Sequence, residues 1–235
     1  MATILNIETS THVCSVALTS DGMVLKHCHN ADGRNHATLL SGYIKDCLDH
    51  SREHDMTLNA VAVSIGPGSY TGLRIGLSEA KGLAYALDLP LIGIDTLKLI
   101  AVGAMFHADL DPEALLAPMI DARRMEVYTA VYDFSLNALM PPCPLILDSQ
   151  SYADFLNDRE VYFMGDGSDK AVDVIRSPHA RFIHGIDPLA ADMCALSEQA
   201  YMREDFLDLA YSEPKYLKDF LVTKPIVKFC NISKG

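Results

Sequence analysis

The most constraining feature of the sequence is residues 60–96, which predict one strand–turn–helix–strand unit. Ala60 to Ile65 form a short apolar run of the kind that a buried parallel strand shows. The glycine-rich turn Gly66-Pro67-Gly68-Ser69 follows, and helical spacing then extends from Tyr70 to Leu87. A second apolar run, Leu91 to Ile94, predicts another strand. Such a unit predicts an α/β fold with a right-handed crossover.

Small residues follow one side of this predicted helix. Gly72, Gly76, Ala80 and Ala84 recur at every fourth position, so they share one stripe of the helix surface. No long side chain projects from the stripe, so a neighbouring backbone can approach it closely. Leucines form an overlapping apolar face, and the sequence therefore predicts close packing on this side.

The glycine turn before the helix has two interpretations. Free N–H groups at a helix N-terminus bind anions such as phosphate. A tight turn also lets the helix pack closely on its strand. No Gly-Lys-Ser or Gly-Lys-Thr follows, so the P-loop pattern is absent and we favour packing. Ser69 and Thr71 have no histidine or acidic partner at a telling spacing, so neither is assigned as a nucleophile.

Charge and apolar patterning narrow the class of protein. The 235 residues carry a formal net charge of −12, which disfavours autonomous binding to nucleic acid. No apolar run approaches about 20 residues, so we expect no membrane span. The N-terminus does not resemble a signal peptide. We therefore expect a cytoplasmic protein with six reduced cysteines: Cys14, Cys28, Cys47, Cys143, Cys194 and Cys230.

Among the nine histidines, His27 and His29 form a close pair. Both lie on one face if this segment is a strand, where two imidazoles are able to hold a metal ion. No carboxylate cluster supports them, and we interpret the segment as a surface edge strand. His36 opens a predicted helix and is interpreted as a surface or capping residue. We assign neither a metal site nor a catalytic residue.

The first half of the chain predicts the order β-β-β-α-β-α-β-α. This order is that of the actin-like ATPase superfamily (ASKHA: actin, sugar kinases and heat-shock ATPases). Asp21-Gly22 is a hairpin signal between the second and third strands. Besides the unit above, the expected elements are strands at Thr3–Glu8, Val13–Thr19 and Met23–His29 and helices at His36–Ser51 and Thr96–Phe106.

The second half echoes the first in outline, which predicts two lobes of duplicated type. We place an N-terminal lobe at residues 1–108 and a C-terminal lobe at 109–235, with residues 222–235 either packing on the first lobe or staying loose. Three prolines predict a stiff connection before an edge strand. The expected elements are strands at Leu115–Asp121, Met125–Asp133, Leu145–Leu147, Val161–Met164 and Arg181–Ile183, and helices at Ser149–Asn157 (capped by Ser149 or Ser151), Ala171–Arg176 and Leu189–Arg203.

Five segments, spread from end to end over roughly a third of the chain, resemble the TsaB (YeaZ) family. The central one is GPGSYTGLRIGLSEAKGLAYAL. The others are ILNIETSTHVCSVAL, MIDARRMEVYTAVYD, MGDG and SEPKYLKD. The resemblance implies an actin-like fold and a role in making threonylcarbamoyladenosine beside the anticodon of tRNAs that read ANN codons.

The actin-like fold implies a possible nucleotide cleft between two hairpins. Glu8, Thr9 and Ser10 lie in the first hairpin, where the family more usually carries Asp in place of Glu8. Arg123 lies in the second, and with Arg124 it replaces the small residues that ATPases use near phosphates. We expect no required cofactor, although ATP or ADP binding between the lobes stays open.

The resemblance also argues against catalysis by this chain. The catalytic sister protein, TsaD, carries a His-x-x-x-His metal site whose positions fall here at Thr96 and Ile100. We therefore expect a non-catalytic scaffold and activator of TsaD. The alternative is a stand-alone actin-like phosphotransferase or peptidase-like enzyme.

The implied partners are TsaD, the ATPase TsaE and, in isolation, a second copy of the chain, with tRNA reached only through the complex. The glycine–alanine stripe is predicted to belong to the docking helix. The residues expected at this interface are His36, Leu39, Leu40, Tyr43, Tyr70, Leu73, Arg74, Gly76, Leu77 and Ala80.

Overall fold

The computed structural model describes residues 2–33 and 35–218, which form two five-stranded mixed sheets with helices packed on them. The first sheet has the order β3-β2-β1-β4-β5, with β1, β2 and β3 antiparallel and β1, β4 and β5 parallel. Its strands are β1 (Thr3–Glu8), β2 (Cys14–Ser20), β3 (Met23–Asn30), β4 (Ala60–Gly66) and β5 (Leu91–Asp95).

Three helices alternate with these strands, as the sequence predicts. They are α1 (His36–Glu53), α2 (Tyr70–Leu87) and α3 (Thr96–His107). Strands β1 and β4 are buried along their whole length, because helices cover both faces of the sheet. Helices α1 and α2 pack on one face, and the start of α3 packs on the other.

The second sheet has the order β10-β9-β6-β7-β8 and repeats the plan of an antiparallel meander joined to parallel strands. The two-lobed α/β fold with a repeated plan is thereby confirmed. The elements are β6 (Leu115–Asp121), β7 (Glu126–Tyr132), β8 (Ala138–Ile146), α4 (Ala153–Leu156), β9 (Val161–Met164), β10 (Ala180–Ile183) and α5 (Cys194–Met202).

Helix α3 joins the two halves. Its residues Leu97, Ile100 and Ala104 pack against Leu116 and other core residues of the second half. Its Leu99 packs instead with the first sheet. One helix therefore contributes to both cores.

Three sequence predictions in the second half are wrong. The predicted proline connection is part of β8, which tolerates Pro141, Pro142 and Pro144 because it is an edge strand with a register shift opposite Val131. The helix predicted from Ser149 shrinks to the four residues of α4, and its N-cap is Tyr152 rather than a serine. Residues 171–176 form turns after a short 3₁₀ segment, not a helix.

The end of the described chain returns to the first sheet. The predicted helix at 189–203 is a 3₁₀ turn followed by α5, which packs on β1 and β5. Further on, the Leu207 N–H donates to the Leu91 carbonyl and the Lys215 N–H to the Ile65 carbonyl. The prediction for residues 222–235, together with Cys230, lies outside the described residues. Within residues 2–33 and 35–218, no helix combines the length and apolarity needed to cross a membrane.

Candidate functional site

The turn between β1 and β2, residues 9–12, lies under the start of α2. Glu8, Thr9 and Ser10 have no exposed surface. The Thr9 hydroxyl donates to the Gly72 carbonyl at 2.8 Å, and the Ser69 N–H donates to the Ser10 carbonyl at 2.6 Å. The glycine turn and the first turn of α2 thus cover the predicted nucleotide hairpin.

The small-residue stripe of α2 explains this close approach. A Cβ added at Gly72 would lie 2.0 Å from the Thr9 carbonyl oxygen, and one at Gly76 would lie 2.1 Å from Thr9 Oγ1. A Cβ at Gly68 would lie 2.2 Å from the Ser10 carbonyl oxygen. The stripe therefore faces inward, and the prediction that it docks a partner is wrong. Glycine is needed here because the neighbouring backbone occupies the space of a side chain.

The glycine turn and the start of α2 are packed against the backbone of this hairpin. Carbonyl oxygens of Thr9 and Ser10 face Gly72 and Gly68, so acceptors rather than an anion lie against the start of α2. Ser69 caps α2, since its side chain accepts a hydrogen bond from the Gly72 N–H at 3.2 Å. The packing interpretation of the glycine turn therefore agrees with these contacts. The contact of Glu8, Thr9 and Ser10 with a nucleotide stays a prediction.

Glu8 is a buried carboxyl group with few hydrogen bonds to offset its loss of contact with water. Its Oε1 accepts the Ser10 N–H, whereas Oε2 has no hydrogen-bond partner among the described residues. Burial raises the pKa of Glu8 from 4.5 to about 7, although the hydrogen bonds from Ser10 oppose the rise. A carboxyl group held this way is poorly placed to orient the water shell of a magnesium ion.

The second hairpin turn, between β6 and β7, is exposed and acidic on one side. Arg123 and Arg124 both take left-handed backbone angles, with φ of 72° and 51°. The Arg123 N–H donates to Asp121 Oδ1, and the Asp121 N–H donates to Asp166 Oδ1 at 2.9 Å. Burial raises the pKa of Asp166, although the hydrogen bond from the Asp121 N–H opposes the rise. Carboxylates thus lie beside Arg123, and its contact with a nucleotide stays a prediction.

The first turn of α3 offers no imidazole. Asp95 caps the helix, with Oδ1 accepting N–H groups of Leu97 and Lys98 at 3.0 and 3.1 Å. Thr96 has no exposed surface, and Ile100 is 1% exposed inside the core that both halves share. These two positions are built for packing, not for holding a metal ion.

Half of the residues predicted at the partner interface are enclosed by the chain itself. Their side chains stabilise the fold, so the predicted contact does not extend to them. The enclosed residues are Leu40, Leu73, Gly76, Leu77 and Ala80, and the half-buried or exposed ones are His36, Leu39, Tyr43, Tyr70 and Arg74.

An exposed cluster of Tyr70, Arg74 and Tyr216 lies at the start of α2. The Arg74 guanidinium carbon lies 4.1 Å from the centre of the Tyr70 ring, a cation–π arrangement. Arg74 Nε donates to the Tyr216 hydroxyl at 3.1 Å, and the two tyrosine rings lie 5.0 Å apart. Sequence spacing pairs Tyr70 with Arg74 at i and i+4, but it gave no signal that Tyr216 joins them.

Two exposed glycines lie in the middle of α1 and α2, on the outer side. A Cβ added at Gly42 or Gly82 would meet no atom within 4 Å. The Ser41 hydroxyl donates to Glu79 Oε1 at 3.1 Å, so the exposed sides of the two helices adjoin. We call the surface around Ser41, Gly42, Glu79 and Gly82 the outer face.

Two groups of histidines differ in their contacts: one contacts a serine hydroxyl, and the other lies close to a carboxylate. His27 lies on β3, an edge strand as predicted, and its Nε2 lies 2.8 Å from the Ser15 hydroxyl. His50 in the last turn of α1 and His54, the C-cap residue, stand four positions apart with Glu53 beside them, and their donor atoms cluster. This group is not among the predicted sites, although its His-x-x-Glu-His spacing is visible in the sequence.

Comparison with known proteins gives consistent matches. A family model described as TsaD, tRNA N6-adenosine threonylcarbamoyltransferase, matches residues 26–224. The "tRNA threonylcarbamoyladenosine biosynthesis protein TsaB" of Bacillus subtilis is 33% identical over 171 residues, which are 69% of this chain and 70% of that protein. The Escherichia coli protein of the same name is 41% identical over 136 residues, 58% of this chain but only 57% of that protein.

A solved structure agrees with these matches. YeaZ from Pseudomonas aeruginosa is 28% identical and superposes with a TM-score of 0.79, covering 92% of this chain and 100% of that one. The likeness therefore extends through both sheets.

Proposed function

This chain belongs to the TsaB (YeaZ) family, and we propose on that basis that it acts in the synthesis of threonylcarbamoyladenosine in tRNA as a non-catalytic partner of TsaD. TsaD would transfer the threonylcarbamoyl group to N6 of the adenosine beside the anticodon. This chain would hold and activate TsaD in the cytoplasm, and TsaE would join the pair.

The observation that carries the proposal is the start of α3. Thr96 and Ile100 occupy the positions that the resemblance assigns to the metal-binding histidines of TsaD, and both are buried. Isoleucine has no donor atom, so the metal-dependent chemistry has no place there. The net charge of −12 favours the same role, because a chain this acidic would reach tRNA through a more basic partner.

We propose the outer face, extended by Tyr70 and Arg74, as the surface that meets TsaD. Glycine in the middle of a helix costs about 1 kcal/mol relative to alanine. At Gly72 and Gly76, close packing against the chain itself offsets that cost. At Gly42 and Gly82, no atom of the described chain lies within 4 Å of the Cβ position. A partner that comes close to the backbone would account for glycine at both outer positions. A second copy of the chain would use the same surface in the absence of TsaD.

Reconstitution tests the role of the chain. TsaD, TsaE, tRNA and threonylcarbamoyl-adenylate are mixed with and without this protein, and threonylcarbamoyladenosine is measured in the tRNA. We expect modification to stop when this chain is omitted. Equal modification without it would refute the proposal.

The substitution Gly82→Arg tests the surface. A long side chain at Gly82 meets no atom of this chain, so the variant should fold at least as stably as the natural protein. Co-purification with TsaD should be lost, because the arginine would separate the two backbones. The matched control is Val172→Arg, at an exposed position in the second half. Retained binding by the Gly82 variant, or equal loss in the control, would remove the outer face from the proposal.

A further inference from the structure

We propose that His50, Glu53 and His54, at the C-terminal end of α1, bind a divalent transition-metal ion of the zinc class. Among the described residues, these three form the one group of histidine, cysteine or acidic side chains with metal-ligand spacing. The site is independent of the outer face and of the role with TsaD proposed above.

Helical spacing brings the three ligands to one side. Residues three and four positions apart lie one above the other on a helix surface. One donor atom from each residue lies within 4.8 Å of the other two. Ligand atoms around tetrahedral zinc stand about 3.4 Å apart, so a contraction of about 1.4 Å at most is required. Glu53 and His54 are exposed, and rotation of their side chains supplies that contraction without moving the backbone.

A hydrogen bond already orients His54. Its Nδ1 lies 2.8 Å from the backbone carbonyl oxygen of His50, so Nδ1 carries the proton that this carbonyl accepts. The lone pair of Nε2 is then free to bind a metal ion. Metal-binding histidines commonly donate their second ring nitrogen to a carbonyl in this way. The rings of His50 and His54 lie 4.2 Å apart between centres, close enough to act as a chelating pair.

The electrostatics of this helix end favour a cation. The last carbonyl groups of α1 point toward this end, and their partial negative charge attracts positive ions. Two basic side chains of α1, Lys45 and Arg52, are both paired with Asp49. Their charges are therefore offset, and the carboxylate of Glu53 balances part of the charge of a divalent ion.

The donor set selects the class of metal. Two imidazoles and one carboxylate suit zinc and neighbouring transition metals. Calcium and magnesium prefer sites made of oxygen atoms alone. Three protein ligands on an exposed helix end leave the other positions to water. The site is accordingly an open one.

Zinc titration of the metal-free protein, followed by calorimetry, tests the proposal. We expect one zinc ion to bind and the melting temperature to rise. His54→Ala should weaken binding by about tenfold or more, and Glu53→Gln should weaken it less. Both residues are exposed, so the melting temperature without metal should change little, and the exposed hydrogen bond lost in His54→Ala is kept in Glu53→Gln. The matched controls are His27→Ala and His184→Ala, which should bind zinc like the natural protein.

Cobalt substitution identifies the ligands independently. Visible absorption of bound Co²⁺ should report nitrogen and oxygen ligands and no thiolate band. A thiolate band would place the ion at a cysteine such as Cys28 and overturn the proposal. Undiminished binding in His54→Ala, or loss in His27→Ala, would also overturn it. So would the absence of zinc binding by the natural protein.

Discussion

Replacing Glu8 with glutamine should change how the stability of this protein depends on pH. Glu8 has no exposed surface, and its Oε2 lacks a hydrogen-bond partner among the described residues. Burial raises its pKa from 4.5 to about 7. Glutamine has nearly the same shape, keeps an oxygen to accept the Ser10 N–H and carries no charge. The substitution therefore removes the titration with little change in packing.

The size and sign of the effect follow from the shift of the pKa. The pKa of Glu8 is higher by about 2.5 in the folded state than in the unfolded state, which corresponds to at most about 3 kcal/mol of the free energy of unfolding. Below about pH 4.5 the carboxyl group is protonated in both states and costs no stability. As the pH rises to about 7, the unfolded state releases the proton first, so the free energy of unfolding falls. Above about 7 the loss is complete. The glutamine variant avoids this loss.

Urea denaturation followed by circular dichroism measures the effect. The free energy of unfolding is compared between the natural protein and Glu8→Gln at several values between about pH 5 and 8. We expect the advantage of the variant to grow over this range and to level off at its upper end. Glu113→Gln, on an exposed turn, serves as the control. Two parallel curves, with a constant difference at every pH, would show that Glu8 titrates alike in both states and would refute the reasoning.

Three further predictions concern the glycines and the hairpin. Gly72→Ala should lower the free energy of unfolding by about 3 kcal/mol or more, because its Cβ would lie 2.0 Å from the Thr9 carbonyl oxygen. Urea denaturation measures this loss, and a smaller value would mean that the hairpin moves aside easily. Gly42→Ala should raise the free energy of unfolding by about 1 kcal/mol in the same assay, whereas a decrease would reveal a hidden internal contact. Calorimetry with ATP and Mg²⁺ should detect no binding that depends on Glu8, and tight binding abolished by Glu8→Gln would contradict the covered hairpin.

The sequence predicted the first half of the fold closely. The predicted bounds of α2, Tyr70–Leu87, agree with the structure. A glycine turn, a serine cap and a long run of apolar residues at helical spacing all indicate the same helix. Strands β1 and β4 were recognisable as apolar runs, since helices cover both faces of this sheet. Strong, mutually consistent local signals explain this agreement.

The second half was harder because its signals are weak or conflicting. Three prolines argue against a strand, yet β8 lies at the edge of its sheet, where unpaired N–H positions tolerate proline. Segments 149–157 and 171–176 are too short to form stable helices by themselves, so tertiary packing decides their structure. Ala171 and Ile175 are buried there without a helix. The structure of such short segments depends on tertiary contacts, which the local sequence does not reveal.

The candidate site shows the same limit more sharply. The helical periodicity of α2 predicts which residues share a side of the helix, but it does not predict which side faces the sheet. A stripe of small residues permits close approach by either an internal or an external neighbour, and here the internal neighbour is the Thr9 backbone. Helical glycines whose Cβ position is occupied by a neighbour, such as Gly72, are explained by the fold itself. The helical glycines Gly42 and Gly82 have an empty Cβ position, and a partner would explain them. Substitution separates the two kinds: alanine at Gly72 should damage folding, whereas arginine at Gly82 should spare folding and prevent binding.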